Sequence, residues 1–257
     1  MEEFDTMAII IKNEEQINGI RLSCELAADA LRFIKHEVRE GVSTQKINEV
    51  VETFIRDHGA IPAPLNYHGF PKAICTSLNE VICHGIPSET SILKNGDIIN
   101  IDVTTILNGY YGDTSTMFAV GDVSEEARQL MAVTQDCLAI GICQVKPDAP
   151  FYKIGESITQ YAHNRGFSVV YQFCGHGTGI NFHEEPQINH AYNSKIKDMR
   201  KMKPGMIFTI EPMLCTKSPE AKILEDKWTA VTVDGGLSAQ YEHTLLVTNQ
   251  GVEVLTK

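Results

Sequence analysis

Two aspartates flanking the turn Asn108-Gly109 are the first residues in this sequence whose types and spacing could do chemistry. They lie in the segment IINIDVTTILNGYYGDTSTM. An Asn-Gly dipeptide favours a two-residue β-hairpin loop, and such a loop makes Thr104 face Asp113. Asp102 then lies diagonally from Asp113 on the same face of the hairpin, about 7 to 8 Å away at the backbone. Two carboxylates at this spacing could hold metal ions between them.

A purely structural interpretation of the two aspartates is also open. Most aspartates in antiparallel strands lie on the solvated face of the sheet and need no metal. Asp102, however, lies among Ile99, Ile101 and Val103, so an almost entirely apolar strand carries one acid. A buried carboxylate needs a strong partner, and a metal ion is such a partner. These neighbours favour the metal interpretation.

A glycine-rich segment, CGHGTGINFHEEP, contributes two histidines. His176 lies between Gly175 and Gly177, and His183 follows in the same segment. Glycines allow the backbone to come close to a ligand or an ion. A lone histidine is more often a hydrogen-bonded structural residue than a ligand, so this segment by itself leaves both interpretations open.

Two glutamates complete the set of candidate ligands. Glu211 precedes Pro212 in GMIFTIEPML, and Glu242 lies in QYEHTLLVT, each within a segment predicted to be an otherwise apolar strand. Either residue alone could lie on the surface of an edge strand. With the aspartates and His176 they form a mostly hard ligand set, suited to two divalent ions about 3.5 to 4 Å apart. Such an ion pair activates water and polarises carbonyl groups, so the set indicates hydrolysis.

Helix pairs and strands are predicted to alternate along the chain and to position these residues. Asn13 and Gln16 match a helix-capping box and begin a predicted helix over residues 13–36. A stripe of apolar residues predicts a second helix, from Ser43 or Thr44 to Gly59. The other predicted elements are strands within 73–120, helices at 124–141 and 154–166, and strands at 206–213, 228–233 and 241–247. We therefore expect one α+β domain, residues 1–257, with two similar halves.

Composition narrows the class of protein and its compartment. The net charge of -11 disfavours a nucleic-acid-binding function. No run of about 18 to 20 apolar residues suits a membrane span. The segment Met1–Asp5 is acidic where a leader peptide would be basic, and the seven cysteines are an odd number without paired spacings. We expect a soluble cytoplasmic protein with no nucleic-acid or membrane partner.

The motifs resemble those of one enzyme family in order and spacing. They are CHGIP at His84, NIDVT at Asp102, GDTS at Asp113, CGHGTG at His176, TIEPM at Glu211 and YEHTLLVT at Glu242. Together they resemble the type I, bacterial kind of methionine aminopeptidase over nearly the whole chain. The resemblance implies the internally duplicated pita-bread fold, with antiparallel sheet and flanking helix pairs.

The resemblance also implies a role for each residue. It makes the five metal ligands Asp102, Asp113, His176, Glu211 and Glu242, with Asp113 and Glu242 bridging two divalent ions. Glu211 would also move protons, and His84 and His183 would contact the scissile amide as catalytic and substrate-binding residues. The substrate pocket would be lined by Tyr67, Phe70, Cys75, Phe182 and Trp228. Asn79, Val81 and Ser238 match a monovalent-cation site of some relatives.

The activity implied is removal of the initiator methionine from nascent polypeptides when the next residue is small. Co, Mn, Fe and Zn all accept this ligand set. We expect a monomer, and transient contact with the ribosome, although no basic tail supports that contact. Two positions depart from the family pattern: Pro64 replaces a frequent pocket cysteine, and Thr178 a more usual aliphatic residue.

Two other functions remain as alternatives. The first is another peptidase of the same fold, an X-Pro aminopeptidase or dipeptidase, but these usually carry a large extra N-terminal domain. The second is a non-catalytic peptide-binding relative. Such relatives lose metal ligands, whereas this sequence retains four carboxylates whose convergence without a metal would be destabilising.

Overall fold

Helix pairs and antiparallel strands alternate twice along the chain in the computed structural model, which describes residues 8–195 and 197–257. The acidic segment Met1–Asp5 lies outside the described residues. The four α-helices of the described part are α1 (Glu14–Ile34), α2 (Thr44–Asp57), α3 (Glu125–Ile142) and α4 (Tyr152–His163), and a short 3₁₀-helix spans Tyr67–Gly69. Asn13 and Gln16 form the predicted capping box, since each side chain accepts a hydrogen bond from the other residue's backbone N–H.

The strands are short apart from one central hairpin. In chain order they are β1 (Ile61–Pro62), β2 (Cys75–Leu78), β3 (Val81–Cys83), β4 (Ile98–Leu107), β5 (Tyr110–Ala119), β6 (Ser168–Val169), β7 (Gly175–Gly177), β8 (Glu184–Ile188), β9 (Ile207–Ile210), β10 (Met213–Cys215), β11 (Ala221–Ile223), β12 (Ala230–Thr232), β13 (Ser238–Gln240), β14 (His243–Thr248) and β15 (Gly251–Val254). Every pairing between these described strands is antiparallel.

The β4–β5 hairpin dominates the first half and has the predicted register. Thr104 pairs with Asp113, and Asp102 with Ser115. β1 and β2 pair along the other edge of β4. Helix α1 lies directly on β5, where a Cβ atom at Gly112 would overlap the helix backbone. This close approach fixes the hairpin against α1.

In the second half the chain crosses twice between two sheets. One sheet has the order β15-β14-β9-β7-β8 and the other β13-β10-β6. The first crossing, Glu211-Pro212, joins β9 to β10, and the second, Tyr241-Glu242, joins β13 to β14. A third sheet, β11-β12-β3, contacts the β13-β10-β6 sheet, because its strand β3 packs against β13.

The prediction that both glutamates lie inside strands is therefore wrong. Pro212 has no N–H to donate to a ladder and restricts the residue before it, so the strand breaks at Glu211. The Glu242 N–H donates to Ser115 O of the hairpin (3.0 Å) instead of to a neighbour within its own sheet. Each glutamate thus lies at a break, with its side chain free to point between the sheets.

Two large hydrophobic clusters are buried. The first packs α1 and α2 against β4, with Ile47 and Ile101 fully buried. The second packs α3 and α4 against strands of both sheets of the second half, includes fully buried Phe208, and extends to Ile98 and Met117 of the hairpin. A smaller cluster joins Ile20 of α1 to Leu246 of β14 across the seam between the halves. No helix within residues 8–195 and 197–257 is long and apolar enough to cross a membrane. This architecture confirms the predicted α+β pita-bread fold with two duplicated halves.

Candidate metal centre

The structure brings all five predicted ligand residues to one cavity of about 410 Å³ at the seam between the halves. The hairpin strands β4 and β5 supply two of them, β7 supplies the histidine, and the two crossings supply the glutamates. These residues are Asp102, Asp113, His176, Glu211 and Glu242. A larger open groove of about 640 Å³ runs between α1 and α3, but of the five it contacts Glu242 alone.

The side chains are close enough to share metal ions. His176 Nε2 lies 3.6 Å from Asp113 Oδ2 and 3.7 Å from Glu211 Oε1. Asp113, His176 and Glu242 each offer one ligand atom within 4.8 Å of the others. This spacing suits atoms that surround an ion rather than atoms that bond directly to one another.

The protonation of His176 is set by a backbone carbonyl. Its Nδ1 lies 2.9 Å from Gly177 O, and because a carbonyl only accepts, Nδ1 carries the hydrogen. Nε2 then presents its lone pair to the carboxylates, as a metal-bound imidazole does. A Cβ atom at Gly177 would overlap the backbone of Glu185, so the glycine allows this close pairing of β7 with β8.

Neutral donors orient two of the carboxylates. Thr104 Oγ1 donates to Asp113 Oδ1 (2.7 Å). Thr209 Oγ1 donates to Glu211 Oε1 (2.7 Å), and Gln240 Nε2 donates to Glu211 Oε2 (3.1 Å). These bonds fix the carboxylates without neutralising their charge.

Burial makes the four acids difficult to ionise without a cation. It raises the pKa of Asp113 to about 7 and the pKa values of Asp102, Glu211 and Glu242 well above their usual range. Repulsion by Asp113 raises the pKa of Asp102 further. Within the described part of the chain, no lysine or arginine forms an ion pair with any of the four. The missing positive charge, together with the oxygen-rich donor set, fits divalent metal ions.

Aromatic rings form the wall of the cavity beside the acids. Phe70 and Trp228 meet edge to face with centroids 5.2 Å apart, and Tyr67 lies 4.8 Å from Phe182. Cys75 also lines the wall and pairs across the sheet with Asp102. The predicted pocket residues therefore lie together, next to the candidate ligands.

Two further histidines face the same cavity. Burial lowers the pKa of His84 to about 4 and that of His183 to about 2, so both are neutral at pH 7. The His84 ring lies edge-on to Trp228, with centroids 6.2 Å apart. His183 Nδ1 lies 2.9 Å from the hydroxyl oxygen of Tyr67.

The remaining predicted positions have different surroundings. Asn79 O accepts a hydrogen bond from the Ser238 N–H (2.8 Å), and Val81 begins the adjacent strand β3. The Asn79 side chain donates to Asp97 Oδ1 (2.9 Å) and accepts the Ile98 N–H (3.0 Å). Of the two departures, Pro64 lines the cavity, whereas Thr178 is fully buried outside it.

Three residues that hold Glu211 were not found from the sequence. Thr209 lies two positions before Glu211 on the same side of an extended chain, a spacing that could have indicated it. Gln240 and His190 have no such local signal. His190 is buried, and its Nε2 accepts the Glu211 N–H (3.1 Å), so it fixes the backbone at the first crossing.

Comparison with known proteins identifies a consistent set of relatives. Residues 18–249 match the sequence model of metallopeptidase family M24. The chain is 49% identical to a methionine aminopeptidase of Buchnera aphidicola over 251 residues, which cover 97% of this chain and 94% of that protein. It is 46% identical to a methionine aminopeptidase of Escherichia coli, with the same coverage.

Solved structures agree with these relatives. The crystal structure of methionine aminopeptidase from Rickettsia prowazekii superposes with a TM-score of 0.94 at 45% identity, covering 97% of this chain and 100% of that one. A prolidase from Pyrococcus furiosus superposes with a TM-score of 0.75 at 23% identity, over 96% of this chain and 65% of that one. The second likeness extends to the fold alone.

Proposed function

This chain belongs to metallopeptidase family M24, and we propose that it removes the N-terminal methionine of nascent polypeptides by metal-dependent hydrolysis. The observation that carries the proposal is the convergence of three buried carboxylates, the half-buried Asp102 and His176 beside an aromatic pocket. The relatives at 46% to 49% identity are methionine aminopeptidases. The proposed substrate is a chain that begins with methionine and, as the resemblance implies, has a small second residue.

Two divalent ions are proposed to occupy the centre, where Asp102, Asp113, His176, Glu211 and Glu242 would hold them. When bound, the ions would supply an activated water and a polarised carbonyl group. The donor set does not select among Co, Mn, Fe and Zn.

The protein's own groups have three tasks in this reaction. Glu211, held by Thr209 and Gln240, is placed to accept and return a proton at its carboxylate. His84 and His183 are neutral, so each can donate one N–H to the oxygen that gains charge as the amide carbon becomes tetrahedral. The Tyr67 hydroxyl can donate to His183 Nδ1, which leaves the Nε2 hydrogen for the substrate.

The pocket suits a methionine side chain. Thioethers pack favourably against aromatic rings, and Phe70, Trp228 and Phe182 provide these next to the metal centre. Tyr67 and Cys75 complete the predicted lining. When a methionine side chain lies in this pocket, the amino group of the same residue and the scissile peptide bond would lie beside the acids.

The decisive experiment compares two peptides, Met-Ala-Ser and Ala-Pro-Ala, with metal-loaded protein and with added chelator. We expect chelator-sensitive release of methionine from the first peptide and no cleavage of the second. Cleavage of Ala-Pro-Ala would instead assign an X-Pro peptidase, and no turnover with any of the four metals would favour a binding module. Asp113→Ala and His176→Ala should each abolish turnover.

Five further properties are proposed. Ligand residues come from both halves, which supports a single catalytic domain over residues 1–257. The seven cysteines form no disulfide in the structure, which supports a reducing, cytoplasmic compartment. A monomer, transient contact with the ribosome and a monovalent cation beside Asn79, Val81 and Ser238 can be tested by light scattering, ribosome pelleting and activity in K⁺ against choline.

A further inference from the structure

A buried ion pair outside the ligand set joins the start of the described chain to the loop that carries His183. Lys12 Nζ lies 2.6 Å from Glu184 Oε2, and the two side chains are 0% and 3% exposed. Lys12 directly precedes the N-cap of α1, and Glu184 begins β8. The pair therefore spans two elements far apart in sequence.

Glu184 fixes a loop as well as binding Lys12. Its second oxygen, Oε1, accepts the backbone N–H groups of Ile180 and Asn181, each at 2.8 Å. Both amides belong to residues 178–183, the connection between β7 and β8. The Glu184 carboxylate thus connects the middle of this loop to its C-terminal end.

Lys12 is itself held in place. Its backbone N–H donates to Gly205 O (2.8 Å), close to the start of β9. Replacing a buried ion pair by apolar residues is often neutral or stabilising, so overall stability is a weak explanation for two buried charges. The three hydrogen bonds that Glu184 accepts point to a local role in the loop.

The loop carries two residues of the candidate site. The rings of Phe182 and His183 stack with centroids 4.4 Å apart, and the His183 ring lies 4.2 Å from that of His176. His183 is the residue directly before Glu184, so a shift of the carboxylate moves the backbone of His183. A displacement of about 1 Å in such a group can reduce turnover about 100-fold.

We propose that the Lys12–Glu184 ion pair is a positioning device that holds the loop so that His183 faces the scissile amide. The inference rests on the proposed function, since it needs His183 to act on the substrate. Lys12 and Glu184 touch no substrate, and they act through the loop that Glu184 fixes.

The test is a mutant cycle with His183. Lys12→Met and the double variant Lys12→Met/Glu184→Gln are made in the wild type and in His183→Ala, and kcat, KM, metal content and Tm are measured with Met-Ala-Ser. In the wild type we expect Lys12→Met to lower kcat about tenfold or more, with KM and metal content near wild-type values. In the His183→Ala background it should have no further effect on kcat.

The double variant leaves no uncompensated charge and carries the test if Lys12→Met does not fold. Lys12→Arg, which keeps the charge, should retain more activity than Lys12→Met. The matched control is Arg21→Met, because the Arg21–Glu253 ion pair joins α1 to β15 away from the loop and its loss should leave kcat unchanged. An equal loss of kcat in both backgrounds, or an unchanged kcat in a folded charge-free variant, would overturn the inference. If the wild type releases no methionine, it is the proposed function that fails.

Discussion

Replacing Thr104 by valine should weaken metal binding while preserving the shape of the hairpin. Valine has nearly the same volume, but it lacks the hydroxyl that donates to Asp113 Oδ1 at 2.7 Å. Both side chains are buried, Thr104 at 1% and Asp113 at 3% exposure, so water cannot readily replace the lost donor.

The magnitude follows from the chemistry of that hydrogen bond. A hydrogen bond to a charged group contributes about 1.5 to 3 kcal/mol, and about 1.4 kcal/mol corresponds to a tenfold change in affinity. The Kd for Mn²⁺ should therefore rise about 10- to 100-fold, the usual effect of losing a group that orients a metal ligand. Thr104 also lowers the pKa of Asp113, so its loss increases proton competition and the effect should be larger at low pH.

The assay is calorimetric titration of the metal-free protein with Mn²⁺, and the matched control is the neighbouring residue. Thr105 is equally buried, but its hydroxyl donates to Ser23 O of α1 (2.9 Å), away from the metal centre. Thr105→Val should lower the free energy of unfolding by about 1 kcal/mol and leave the Kd unchanged. An equal rise in Kd for both variants, or none for Thr104→Val, would refute this reasoning.

Three further perturbations test the fold, the electrostatics and the pocket. Gly112→Ala should destabilise the protein by about 3 kcal/mol or more in denaturant titration, because the new methyl group overlaps the backbone of α1. In the metal-free protein burial raises the pKa of Asp113 to about 7, so near neutral pH the folded chain binds more protons than the unfolded chain does. Tm should therefore fall as pH rises from 6.5. Burial lowers the pKa of His176 to about 4, so its opposite effect on Tm is confined mainly to lower pH. With metal bound, Tm should stay constant over that range. Phe70→Ala should raise KM for Met-Ala-Ser about tenfold with a smaller change in kcat, since the ring is 2% exposed in the pocket wall.

The hairpin shows how far local sequence can determine a site. The dipeptide Asn108-Gly109 specifies the loop, and because pairing is periodic, the loop alone places Asp102 and Asp113 on one face. The register observed across all of β4 and β5 agrees with this prediction. Helix caps such as Asn13 are local signals of the same kind, and they located the helix starts to within about two residues.

The crossings were harder to predict because their cause is tertiary. Apolar residues continue on both sides of Glu211, so the pattern predicts one strand over 206–213 where the chain forms two. The predicted strand over 241–247 likewise included Glu242, which precedes β14. Pro212 was a local indication of the first break. The Glu242 break depends on Ser115 of the other half, and Lys12 meets Glu184 only after folding brings residues 172 positions apart together. No pattern within a short window contains either contact.

The seam between the halves has a consequence for how the protein unfolds. Asp113 belongs to the first half and Glu242 to the second, so an ion held by both would be a crosslink between the halves. Like a disulfide, a crosslink that closes so long a loop restricts the unfolded chain more than a short one does. Neither half can assemble the centre alone, so a bound metal would couple the folding of the two halves.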